Sequence, residues 1–388
     1  MNFDGMNQTI KEHNEEARAV WEAYEFGDPM RPPVFLGTTA LFFIFNRNLN
    51  PGGEVTFESY CSDARTMYDF QIRSQVWRAE HIAHYCDDRV GFPEKFQLRV
   101  DLQNFDDSAY FGAPIEFIEG QVPDTRPILA GEKKYALFDA GLPDPLTGGW
   151  YAKAHRIFEQ WLEFREQEPE YQGSPIELEP FGHFTSSGLF TLAISLRGFE
   201  FLSDIYSDPD YVRQLLEFLL QGLVARVEAH HRFFSLEFPN PYLFFVDDSI
   251  EMISTSMLEE LLLPYYKRYK QAVTNSEHIR MHLCGDATRH FKLLRDELGV
   301  NDFDTGFPVN FGWLRKELGP EVNIYGGPTV MDLKNSSPEE VRKETNRILN
   351  SGITEGGRFI LREGNNLAPH TPFANLAAMY ETARKFRY

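Results

Sequence analysis

Ile279-Arg280-Met281-His282-Leu283-Cys284-Gly285-Asp286 decides how the rest of the chain is read. A short, largely apolar run ends abruptly in a thiol, a glycine and an acid, as a buried strand does where it runs out into a polar loop. The same form recurs. Tyr242 to Val246 ends in Asp247-Asp248, Val322 to Tyr325 in Gly326-Gly327-Pro328, Arg358 to Leu361 in Arg362-Glu363-Gly364, and a weaker run lies at Asp302 to Asp304. Successive ends are about 20 to 40 residues apart, the spacing of repeated strand–helix units, and such alternation predicts a parallel sheet.

The intervening helices carry their own signals. Asp208-Pro209, Ser337-Pro338 and Thr371-Pro372 each set a capping residue before a proline at the first helical position. Ser337 with Glu340, and Ser256 with Glu259, have the capping-box spacing. From Pro209 to about Phe234 the apolar residues Val212, Leu215, Leu216, Leu219, Leu220 and Val224 follow a helical period, and Pro372 to Arg387 reads as a closing helix. Toward the N-terminus, Pro33 to Gly37 reads as a strand after a helix from about Gln8 to Glu25. Phe92 to Pro145 is rich in turns and prolines, and both strands and loops fit it.

No low-complexity linker or charge block divides the chain. The expected fold is α/β, one elaborated (β/α)8 TIM barrel over residues 1–388, with a helical and loop-rich elaboration within about 1–150. A doubly wound open sheet is the second choice, weakened because no G-x-G-x-x-G follows the first strand.

Composition narrows the function. The 388 residues carry 38 Lys+Arg against 58 Asp+Glu, a formal charge of −20, which argues against a nucleic-acid partner. The three cysteines, Cys61, Cys86 and Cys284, are too few and too scattered for a disulfide framework, and a reducing cytoplasm is the expected compartment. Met1 to Met30 has no basic and apolar regions of a signal peptide. The longest apolar run, Ala40 to Phe45, is six residues, so no membrane span is expected. The 34 Phe and 17 Tyr suit a large aromatic core, or rings lining a pocket for a flat ligand. A homodimer is compatible with the sequence but not required by it.

In a barrel of this kind catalytic groups sit at the C-terminal strand ends. The candidates are Asp247, Asp248, His282, Cys284, Asp286, Asp302, Asp304, Glu363 and Asn365. His282 and Cys284, two apart on a strand, share a face while Leu283 packs on the other. Imidazole nitrogen and thiolate sulfur are zinc ligands; a buried cysteine beside a hydrogen-bonded histidine is the alternative. The pair alone does not complete a metal site. His183, after another expected strand, is a candidate proton donor or a structural residue. His230-His231 is expected to face solvent, and Arg362 to pair only with Glu363.

Met281-His282-Leu283-Cys284-Gly285-Asp286, Gly326-Gly327-Pro328 and the stretch from Gly356 to Pro372 resemble the uroporphyrinogen decarboxylase superfamily. Pro180 to Arg197-Gly198, Asp208-Pro209 and Ser254 to Pro264 follow in the same order. The resemblance covers about residues 175 to 388, with a weaker match at Asp28 to Thr39. His-x-Cys-Gly is similar to the zinc-dependent, corrinoid-linked methyltransferase branch, which implies a TIM barrel with zinc in its mouth. Two departures matter. The decarboxylases carry an arginine-rich segment after the first strand, whereas Val34 to Phe43 has no arginine. The thiol-activating methyltransferases place a further cysteine after the last strand's glycine, where this chain has Asn365.

The resemblance therefore implies a methyltransferase moving a methyl group from a small methylated donor, a methoxylated aromatic for preference, to the cobalt of a corrinoid. The corrinoid signature Asp-x-His-x-x-Gly is absent, so a separate corrinoid protein is the expected partner. Zinc would be held by His282 and Cys284 with Asp247 or Glu363, Asp248 and Asn365 being the other ligand alternatives; Asp248 and His183 would be catalytic, and Asn365 would bind substrate. An oxygen ligand in place of a thiolate makes the zinc a harder Lewis acid, suited to an oxygen-bearing substrate. A methylcorrinoid:thiol methyltransferase, a metal-free decarboxylase or lyase, and an inactive barrel kept as a binding module are the alternatives.

Overall fold

The computed structural model describes residues 3–185 and 187–388. Its longer helices include α1 (Phe3–Glu25), α2 (Ala64–His81), α3 (Tyr151–Gln167), α4 (Leu189–Arg197), α5 (Pro209–Phe233) and α6 (Phe373–Lys385). Two strands, β1 (Phe96–Arg99) and β2 (Ser174–Glu179), pair in parallel with Arg99 opposite Glu179. A second group is β3 (Leu243–Val246), β4 (Ile279–Leu283), β5 (Asp302–Thr305), β6 (Asn323–Gly326) and β7 (Phe359–Leu361), joined as a five-stranded parallel sheet in the order β7-β6-β5-β4-β3. The architecture is mixed α/β. Val34, Leu98, Ile176, Ile279 and Phe359 belong to one continuous buried cluster. Among the described residues no helix is long and apolar enough to cross a membrane.

The first expected strand is reduced to a single bridge between Val34 and Leu361. The chain does run beside β7: Leu361 N–H donates to Pro33 O and Phe35 N–H to Leu361 O, both at 2.9 Å. A longer ladder fails because Pro32 and Pro33 have no N–H and the Val34 N–H is taken by Asp87 Oδ2 at 2.7 Å. Among the described residues no ladder joins β2 to β3, or Val34 to β1.

The free edge of β1 is closed by side chains. Gln71 on α2 accepts from Arg99 N–H (3.1 Å) and donates to Arg99 O (2.8 Å). Gln75, one turn on, does the same to Gln97 (3.2 and 2.9 Å). Two glutamines four residues apart on one helix face thus replace a neighbouring strand, supplying the partners that exposed backbone groups require.

Three local expectations change. Asp208 caps α5 and Ser337 forms its capping box with Glu340 as read. Ser256, however, gives way to Ser254, whose side chain accepts from Met257 N–H at 3.2 Å. Thr371 does not cap α6; its hydroxyl donates to Ala368 O and Pro372 takes the cap position. His230 and His231 are buried, not solvent-facing: α5 packs that face inward, and His231 Nδ1 and Nε2 meet the Glu237 and His183 carbonyls. Gly326 and Gly327 serve close approach. A Cβ at Gly326 would lie 2.4 Å from Phe311 Cε1, and one at Gly327 2.0 Å from Arg362 O.

Candidate functional site

Strand register builds the site. β4 lies between β3 and β5, with His282 level with Val246 on one side and Asp304 on the other. His282 Nδ1 sits 3.1 Å from Asp304 Oδ2. Arg362, from the end of β7, grips both Asp304 oxygens at 3.0 and 2.9 Å and donates to Glu363 Oε1 at 2.7 Å. Burial alone would raise Asp304, but His282 and Arg362 outweigh it and hold the carboxyl below its usual range. Burial also works against charge on His282, yet Asp304 and Cys284 prevail and push the imidazole up to about 10.

With Nδ1 committed, Nε2 of His282 points to Cys284 Sγ at 3.1 Å. The same sulfur meets Asn365 Nδ2 at 3.2 Å, and the Cys284 N–H donates to Asp248 Oδ1 at 2.7 Å. Asn365 has φ +104°, a conformation that side chains other than glycine rarely adopt and one that clusters at functional sites. The ligand atoms of Asp248, His282 and Cys284 all lie within 4.8 Å of one another. These three, with Asp304, Arg362 and Asn365, line one wall of a cavity of about 830 Å³.

Other expected residues are placed elsewhere. Asp247 is fully buried and stands outside the Asp248–His282–Cys284 group. It accepts from Phe190 N–H (2.8 Å), Thr191 N–H (2.9 Å), Thr191 Oγ1 (2.8 Å) and Tyr266 Oη (2.7 Å), so it anchors the N-terminus of α4. Glu363 is also outside the group. Its Oε1 accepts from Gly37 N–H at 2.9 Å and from Arg362, its Oε2 has no hydrogen-bond partner among the described residues, and burial raises it to about 7. Gly37 must be glycine here, because a Cβ would sit 2.7 Å from both Glu363 Oε1 and Arg362 Nη2. The His183 ring does not line the cavity; burial, and then His231 and Arg99, lower it to about 4, so the imidazole is uncharged and a weak acid at neutral pH. Cys61 and Cys86 are buried packing residues.

Sequence reading noted Asp304 only as a strand-end acid and limited Arg362 to Glu363. The available signal was positional: His282 and Asp304 each stand one residue before the end of their strands, so register makes them neighbours. Of the opposite wall, sequence reading yielded only the expectation of aromatic rings lining a pocket, without residues. Thr38, Gln71, Gln97, Arg99 and Glu179 line that wall, and Phe43, Phe70, Phe181 and Phe184 supply its aromatic surface, while Phe244 adds a ring from β3 itself.

Residues 184–386, more than half of the chain, match the family described as Uroporphyrinogen decarboxylase (URO-D). The chain belongs to that family. Within it, two curated relatives are named Methylcobamide:CoM methyltransferase MtbA, one from Methanosarcina mazei and one from Methanosarcina acetivorans. Each is 26% identical over 204 residues, 52% of this chain and 57% of the relative. The match thus spans little more than half the length of those relatives. A solved methyltransferase from Methanosarcina mazei shares the fold, with a TM-score of 0.62 over 94% of this chain and 97% of that one at 16% identity. These names agree with the likeness of His282-Leu283-Cys284-Gly285 to the methyltransferase branch of the uroporphyrinogen decarboxylase family.

Proposed function

We propose that the protein transfers a methyl group from a small methylated donor to the cobalt of a corrinoid carried on a separate protein. The convergence of Asp248, His282 and Cys284 on the cavity supports this most directly. One oxygen, one nitrogen and one sulfur donor at this separation fit zinc. The carboxylate of Asp304 on the far imidazole nitrogen is the arrangement that orients metal-binding histidines. Bound there, zinc would supply Lewis acidity toward a donor atom of the substrate.

The chain's own residues do the remaining work. Asp304 fixes the imidazole so that Nε2 faces the cavity, and Asp248 holds the Cys284 backbone in place. Asn365 steadies the sulfur. When a methyl ether is the donor, the carbon–cobalt bond forms as the carbon–oxygen bond breaks, the electron pair stays on oxygen, and that oxygen then takes a proton. The barrier lies in the charge developing on that oxygen, so groups fixed around it matter more than contacts to the resting substrate. A methoxylated aromatic is the preferred donor, its ring lying on the phenylalanines of the opposite wall.

In this reading Val34 and β1 to β7 are the eight members of one (β/α)8 barrel spanning residues 1–388, with its active face at the strand C-termini. The parallel direction of these segments and the shared fold support it. The cytoplasm is the compartment that keeps Cys284 reduced. The names of the two relatives favour a second reading, transfer of a methyl group to a thiol. Asn365, standing where that branch would offer another cysteine, counts against it.

Metal analysis and spectroscopy of a partner corrinoid protein test the proposal. Purified protein should carry about one zinc per chain, as one mononuclear site requires, and the Cys284→Ala variant should lose it. Methoxylated donors should then bleach the cobalt(I) absorbance of the reduced partner. A wild type that neither holds nor takes up zinc would overturn the metal assignment, and zinc-loaded protein inert toward every donor and thiol would overturn methyl transfer.

A further inference from the structure

We propose that Asn365 guards the Cys284 sulfur against methylation, so that the methyl group passes to the corrinoid cobalt and not to the protein. The proposal deepens the methyl-transfer reading and rests on it. Cys284 ligates a metal as its thiolate, and a thiolate is itself a nucleophile. The residue is half-buried and lines the cavity, where a bound methyl donor can meet it. In that side reaction a carbon–sulfur bond forms as the donor's carbon–oxygen bond breaks. The electron pair stays on oxygen, which then takes a proton, and Cys284 is left as a thioether.

The Asn365 amide is turned against this outcome. Its Nδ2 donates to Cys284 Sγ at 3.2 Å, and its Oδ1 accepts from Asn366 Nδ2, also at 3.2 Å. An amide has one acceptor face and one donor face, so the contact with Asn366 leaves the donor face toward the sulfur. The backbone is pinned on both sides of this residue. Arg362 Nη2 donates to the Asn365 carbonyl, and Gly364 N–H donates to Pro328 O at 3.0 Å. Asn365 itself has φ +104°. Strain of this kind persists only where the surroundings over-determine it, and it clusters at functional sites.

A hydrogen bond to an ionised acceptor is about twice as strong as one between neutral groups. The Asn365 N–H therefore stabilises the thiolate more than the transition state of its methylation, in which sulfur is losing its charge, and so raises that barrier. Cys284 remains a ligand while its nucleophilicity falls. His282 Nε2 also faces the sulfur, at 3.1 Å, but in the proposed site that nitrogen serves the metal. Asn365 is then the remaining donor to the sulfur among the described residues.

Methyl iodide is the probe, applied to the full-length protein without any corrinoid protein, and mass spectrometry reads methylation of Cys284. Cys61 and Cys86 are buried and serve as internal references. Rates are compared on the pH-independent plateau, which removes differences in thiol ionisation. Asn365→Gly suits the positive φ and removes the amide. Asn366→Ala leaves the Asn365 side chain over the sulfur but frees its amide to turn. Asn365→Gly should react about 10-fold faster than wild type, the scale of one hydrogen bond to a charged acceptor, and Asn366→Ala about 3-fold faster. In protein loaded with cobalt(II), the sulfur-to-metal charge-transfer band should move to lower energy in both variants, because the sulfur lone pair has lost its hydrogen bond. An unchanged rate in Asn365→Gly overturns the proposal, as does a faster rate with the band unmoved. A faster Asn365→Gly beside an Asn366→Ala that behaves as wild type also overturns it, since the amide would then be a steric cover alone. If the protein takes up neither metal, the metal assignment fails, and the plateau rates of the metal-free variants still decide the role of Asn365.

Discussion

The two walls of the cavity are built by different means. The wall bearing His282 and Cys284 is a continuous parallel ladder, and its functional side chains are neighbours because the register makes them so. The wall bearing Arg99 is a short strand whose outer edge is finished by two glutamines of α2 rather than by another strand. The first wall is a rigid support for chemistry. The second leaves an opening in the sheet into which the cavity extends, and its inward residues are free to meet a ligand.

The sharpest way to break this contrast is at Asp304. It is buried and joins His282 to Arg362. Asp304→Ala leaves the buried Arg362 with Glu363 as its remaining carboxylate partner, and loss of one member of a buried pair costs about 3–5 kcal/mol. Zinc affinity should fall about 10- to 100-fold, since the imidazole loses its orienting carboxylate. Urea denaturation and competition with a chelator measure the two effects. An unchanged midpoint together with unchanged zinc affinity would show that register alone positions His282.

The same contrast explains what the sequence made legible. Ile279–Leu283 could be read to the residue because an apolar run stops sharply at Cys284-Gly285, and the ladder then carries His282 to Asp304. The short strand at Asp302–Thr305 was weak as a pattern, since two of its buried residues are aspartates whose charged neighbours, Arg280 beside Asp302 and His282 beside Asp304, are distant in sequence. Asp247 and Asp248 were indistinguishable as neighbours. Only the fold shows that one holds the α4 N-terminus and the other faces Cys284. The Arg99 wall was illegible for a physical reason: nothing in Gln71-x-x-x-Gln75 signals that these amides will substitute for a strand. His230 misled because a histidine pair late in a polar helix turn resembles a solvated surface.

His230 yields the next largest effect. Burial lowers its imidazole to about 3, and His183, with which it shares a helix–loop contact region, is lowered to about 4. Both are therefore neutral in the folded protein at pH 7, whereas in the unfolded chain a histidine titrates near about 6.5. Below that value the unfolded state binds protons that the folded state refuses, so stability is complete above about pH 6.5 and declines as the pH falls toward the folded values. Each such group contributes a slope of up to about 1.4 kcal/mol per pH unit. His230→Gln should remove one such slope between pH 6 and 4 in acid-dependent urea melts. An identical slope in the variant would mean that His230 is solvated and that α5 packs less tightly than described.

The smallest expected effect is the most informative about the second wall. Gln71→Ala removes the groups that satisfy both the N–H and the C=O of Arg99. In a dry interior the loss would be large, but this edge is open to solvent and water can replace the amide, so the cost should be about 1 kcal/mol. The local consequence should exceed the global one. Amide exchange at Arg99 and Gln97 should accelerate while exchange in β4 and β5 stays unchanged, because the two walls share no ladder among the described residues. If exchange instead rises equally in both walls, the glutamine clamp and the parallel sheet are one cooperative unit, and the division between a wall for chemistry and a wall for recognition fails.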